Sequence, residues 1–82
     1  MGREAQEELA MTDMERKHLA EADRQIARCK THIAHQQKII RQMTLRGRST
    51  LWARDMLGAL ETSLHAFERH RERIVSGSDA RS

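Results

Sequence analysis

Five histidines and one cysteine are the residues of this 82-residue chain whose chemistry could reach beyond packing. His32 and His35 lie three apart, and His18 lies two heptads before His32 on the same flank. An i, i+3 histidine pair can hold a metal ion if a third ligand arrives. No carboxylate stands four residues after either histidine; His32 has Gln36 there and His35 has Ile39. The expectation is no metal and no cofactor, with histidines on the surface or flanking a helix seam. A histidine held at a dimer interface would make assembly sensitive to pH.

Cys29 is the single cysteine, so neither an internal disulfide nor a multi-cysteine zinc site can form within the chain. An unpaired thiol suits a reducing cytoplasm. Cys29 falls on an apolar seam and reads as a small buried hydrophobe. The spacing is read as giving it no activating histidine and no orienting partner. A glycine-rich phosphate loop, a nucleophile–base pair and a cleft-forming sheet are all missing, so no catalytic residue is assigned and no enzyme is expected. The basic run His70-Arg71-Glu72-Arg73 reads as a complement to a helix C-terminus rather than a phosphate clamp.

These residues need elements to hold them, and the composition narrows the choice. The chain has no proline, no tyrosine, and only Trp52 and Phe67 as aromatics. Charged residues make up 33% and the hydrophobic class 38%. Sandwiches and barrels draw on β-branched and aromatic residues and on Gly/Pro turns, so the fold class is all-α. No apolar run reaches the roughly 18 residues of a membrane span. The start, Met1-Gly2-Arg3-Glu4-Ala5, is too acidic for a secretion signal. The expectation is a soluble cytoplasmic protein without a membrane partner.

Thr12-Asp13-Met14-Glu15 has the form of a capping box and predicts a helix start at residue 12. From there Leu19, Ala22, Ile26, Cys29, Ile33, Gln36, Ile40 and Met43 alternate in steps of three and four, which is a heptad seam. Gly47 suits the left-handed position just past a helix end, and Ser49 or Thr50 can cap the next helix. Ala53, Leu57, Leu60, Leu64, Phe67, Arg71 and Ile74 form the second seam. The predicted organisation is an acidic extension at 1–11, helix one at 12–46, a turn at 47–49, helix two at 50–75 and a disordered polar tail at 76–82. Two such helices make an antiparallel two-helix coiled-coil hairpin. On length, residues 20–45 match helix two, and the segment before residue 20 is expected to overhang.

The net charge of +3 is unevenly spread. Residues 1–15 hold one basic and five acidic residues, whereas residues 16–48 hold nine basic and two acidic. A basic helix can attract nucleic acid, and Arg24, Arg28, Lys30, Lys38 and Arg41 are the candidates for that alternative. They lie on different flanks, without a recognition helix or stacking aromatics, so any such binding would be weak and largely non-specific.

Helix two carries more apolar surface than one seam can hide. Leu51, Trp52, Met56 and Ala59 lie beside the stripe, and Ala59, Ser63 and Ala66 are small residues at helical spacing. Such a face is an association site, and the expectation is a homodimer forming a four-helix bundle. The interface candidates are Ile40, Met43, Trp52, Met56, Leu57, Ala59, Leu60, Ser63, Leu64 and Phe67. The expected function is a non-catalytic protein–protein interaction module, such as a small regulator or inhibitor docking a helical face on another protein. A purely structural homo-oligomer is the further alternative.

His32-Ile33 through Gln36, Ile39-Ile40, Gly47, Thr50, Ala53, Leu57, Leu60-Glu61, Ser63-Leu64 and His70-Arg71-Glu72-Arg73-Ile74 form one pattern. It resembles a group of short helical-hairpin proteins of alphaproteobacteria described as hypothetical. The resemblance covers roughly residues 18–75 and implies a bacterial cytoplasmic hairpin. It supplies no active-site residues, and residues 1–10 and the serine-rich tail fall outside it.

Overall fold

The computed structural model describes residues 11–81, with side chains described to residue 77. It is an antiparallel hairpin of two helices, α1 (Asp13–Leu45) and α2 (Leu51–Arg81). At 33 and 31 residues and about 1.5 Å per residue, the helices account for most of the 56 Å long axis. The two short axes are 21 and 18 Å, the cross-section of a helix pair.

Local chemistry sets each inner boundary. Glu15 donates its amide to Thr12 Oγ1 at 3.1 Å, and Thr12 donates its amide to Glu15 Oε1 at 3.3 Å. This reciprocal box satisfies two amides that a helix start leaves without partners. At the other end of α1 the backbone reverses through Gly47, at φ +67°. The Arg48 amide donates to Met43 O at 2.9 Å and the Gly47 amide to Thr44 O at 3.1 Å. That pair of bonds is a Schellman closure, which needs a residue without Cβ strain at the left-handed position. Thr50 O accepts the first bond of α2, from the Arg54 amide at 2.8 Å.

The heptad seams meet as their spacing dictates. No predicted seam residue is exposed; on α1, Leu19, Ala22, Cys29, Gln36 and Ile40 are buried. Three polar contacts cross the seam. Gln36 Nε2 donates to Ala53 O at 2.9 Å, Cys29 Sγ donates to Leu60 O at 3.2 Å, and Arg71 Nε donates to Asp23 Oδ1 at 2.6 Å. The first two leave seam positions seven residues apart on α1 and reach positions seven apart on α2. They therefore fix one register, since a slip by a turn breaks both.

On α2 the burial is less complete. Ala53 is buried, but Leu57, Leu60, Leu64, Phe67, Arg71 and Ile74 are only half-buried. The fully buried apolar residues of the hairpin include the small Ala22, Cys29 and Ala53. A chain this small with so little enclosed apolar volume has a weak core.

Two expectations are corrected at the open end. α2 does not stop at residue 75 but continues to Arg81, into the segment read as a disordered tail. Extending an existing helix adds one hydrogen bond per residue without a new nucleation cost, and no proline interrupts it. Val75 and Gly77 are also half-buried, so this end has some packing to hold it. Nor does α1 overhang before residue 20, because Leu19 is already buried and the helices are nearly equal in length. Residues 1–10 of the acidic extension, and Ser82, lie outside the described residues.

Thr12→Ala is expected to lower stability by about 1 kcal/mol through the lost cap. Gln36→Ala is expected to cost about 1–2 kcal/mol through the lost bond and packing. Urea unfolding followed by circular dichroism at one fixed protein concentration checks both.

Candidate interaction surface

The seam divides the hairpin into two sides, each with a groove between the helices. On one side Arg28, Cys29 and His32 of α1 face Leu60, Ser63 and Phe67 of α2. On the other, Asp23, Ile26 and Lys30 of α1 face Glu68, Arg71 and Glu72 of α2. The second groove is charged and spanned by the Arg71–Asp23 bridge. The first is mainly apolar at its floor, and half-buried Leu60 and Phe67 open into it.

The helical register extends the apolar side along α2. Met56 and Ser63 are seven apart and share one flank of the seam. Trp52, Ala59 and Ala66 fall on the adjoining strip. All five are exposed, Trp52 at 86% and Met56 at 56%. Ala59, Ser63 and Ala66 have small side chains, so this strip stands low on the helix.

The other interface candidates sit differently. Ile40 is 8% exposed and belongs to the hairpin's own core, so it is not free for a partner. Its seam position turns it toward α2. Met43, Leu57, Leu60, Leu64 and Phe67 are half-buried in the same seam, each with some area still open. The surface therefore combines seam residues covered on one side with flank residues not covered at all. Leu45, 88% exposed at the last turn of α1, was missed by the sequence reading. The signal was an apolar residue off the seam beside the turn.

The five nucleic-acid candidates are all exposed, but they are not equivalent. Glu21 accepts a bond from Arg24 Nη2 at 2.6 Å and lies 3.9 Å from Arg28 Nη2. The hydrogen bond from Arg24, with its charge and that of Arg28, holds the Glu21 carboxyl below the usual carboxylate range. Glu21 is thus ionised at neutral pH, and its single charge is shared between these two cations. Lys30 lines the charged groove, and Lys38 and Arg41 lie nearer the turn.

His32 is three residues from Cys29 and lines the same groove, so the reading that no histidine neighbours the thiol is corrected. The i, i+3 spacing was the signal for it. The thiol itself is buried and donates to Leu60 O, which occupies it structurally. Among the described residues no group of three or more His, Cys, Asp or Glu side chains could hold a metal ion. Also among them, no helix is long and apolar enough to cross a membrane. Cys29 is expected to react with a thiol reagent at least about ten-fold more slowly in the folded protein than in urea, because the thiolate must be exposed to attack. A colorimetric thiol assay under both conditions measures this.

Comparisons with protein-family models, with curated proteins and with solved structures give no match for this chain, so the likeness to alphaproteobacterial hairpin proteins rests on the sequence pattern alone.

Proposed function

We propose that this chain is a non-catalytic helical interaction module whose primary contact is a second copy of itself, joined along the apolar side of α2 into a four-helix bundle. One observation carries the reading: Met56, Ala59, Ser63 and Ala66 form an exposed stripe beside a groove into which Leu60 and Phe67 are only half-buried. A second hairpin laid along that stripe covers both layers at once. The small residues allow close backbone approach, and a two-fold arrangement makes the face self-complementary. The same face would suit an amphipathic helix of another protein, which makes a small regulator or inhibitor the wider functional class. A bacterial cytoplasm fits the unpaired Cys29 and the resemblance noted above.

Nucleic-acid binding is the weaker reading, because Glu21 pairs with two of its five cations and no stacking aromatic stands among them. It would also fall steeply with salt, whereas apolar docking would not.

Light scattering at tens of micromolar is expected to give twice the 9.5 kDa chain mass, and a monomer there would refute the dimer. Ala59→Glu tests the face itself. Ala59 is exposed in the hairpin, so the variant should keep its helicity. A carboxylate buried without a partner costs about 3–5 kcal/mol, so the dimer should weaken by at least about 100-fold.

A further inference from the structure

The turn end of the hairpin carries a further set of exposed groups, which shares Trp52 with the strip beside the proposed dimer face. Of the five large apolar side chains that stand well exposed among the described residues, four fall between residues 45 and 56. Leu45, Leu51 and Trp52 flank the turn itself, at 88%, 64% and 86% exposure. The same stretch is basic. Residues 38–54 hold Lys38, Arg41, Arg46, Arg48 and Arg54 and no acid; Asp55 is the next acid along the chain. Among the described residues no ion pair joins any of these five cations to a carboxylate.

We propose that the turn end of the hairpin docks on an anionic lipid surface, with Leu45, Leu51 and Trp52 entering the interface and the arginines around them meeting the headgroups. The pairing of unneutralised cations with apolar side chains at one end matches the two layers of such a surface. Tryptophan favours that boundary because its ring is apolar and its N–H is polar. Arginine stems can lie against the acyl region while their guanidinium groups stay with the phosphates.

The geometry favours a lipid surface over the other occupants. Leu45 lies on the outward face of α1 and Leu51 on the outward face of α2, while Trp52 lies on the strip it shares with Ala59 and Ala66. A second hairpin packed along one side cannot cover both faces, whereas a plane met end-on can reach both. Two basic tips brought together would also repel each other. Nucleic acid would use the cations but leave Leu45 and Leu51 in water. The backbone is prepared for such a contact too. The Arg46, Gly47 and Arg48 amides donate to carbonyls of the last turn of α1, while the first amides of α2, those of Thr50, Trp52 and Ala53, stay open to the polar headgroups. Membrane partners were set aside in the sequence for want of a spanning segment, but surface docking needs none.

Trp52 is the only tryptophan, so its fluorescence reports this site directly. The full chain is mixed at low salt with phosphatidylcholine vesicles, and separately with vesicles containing a quarter phosphatidylglycerol. Emission and co-sedimentation are then read. The expected result is a blue shift and sedimentation with the anionic vesicles only. Each arginine near such a surface contributes about five-fold to partitioning, so the Arg46→Gln/Arg48→Gln double variant should bind about twenty-five-fold more weakly. Both positions lie outside the helices, and unchanged circular dichroism would show that the fold is kept. Trp52→Ser, followed by sedimentation alone, should also weaken binding. No response to anionic vesicles, or equal binding to neutral ones, overturns the proposal. So does blue emission from the protein alone, because a second copy would then already cover Trp52. Light scattering on the same sample reports self-association separately, so failure of one reading leaves the other standing.

Discussion

A single stripe of contact between two helices carries this fold, and one stripe can hide only part of the apolar surface that α2 presents. α1 places five residues fully inside the seam, while the larger residues of α2 remain half in water. Burial of apolar area is the main favourable term in a fold of this kind, so the asymmetry leaves stability unclaimed. The exposed stripe beside the seam follows from that shortage. The interaction surface is thus the unfinished half of the core rather than an addition to a finished one.

Specificity within the seam comes from polar groups. Gln36, only 7% exposed, gives up hydration and recovers it from Ala53 O. An aliphatic residue there would pack without that requirement and would tolerate a shifted partner. Cys29 acts likewise through Leu60 O. These bonds set which α1 residues stand across the groove from Leu60, Ser63 and Phe67, so the groove inherits its lining from the register.

Much of this was legible in the chain because the signals were local. Thr12 and Glu15 specify a cap within four residues, and Gly47 marks the one place where the backbone must turn left-handed. The alternating three and four spacing identified seam residues none of which is exposed, because periodicity decides which side of a helix can face a neighbour, but it missed buried Met11 just before the cap. What escaped depended on relations between elements. The end of α2 was misplaced because Ser76 and Gly77 have weak helix propensity, and their sequence does not say what lies beside them. Ile40 was counted as free surface because a seam residue and an interface residue look alike until the helices are paired. Leu45 went unnoticed because it follows no period, and its meaning lies in its place beside the arginines of the turn.

The three cross-seam bonds lie at increasing distances from the turn. Gln36 and Ala53 are 17 residues apart, Cys29 and Leu60 are 31, and Asp23 and Arg71 are 48. Each contact nearer the turn shortens the loop that the next must close, so the chain can zip up from Gly47 outward without a large entropic step. Unzipping would run in reverse, starting where the helices end. Kinetically, the hairpin is hinged at its turn and opens from its free ends, so the turn end is the last part to lose its shape.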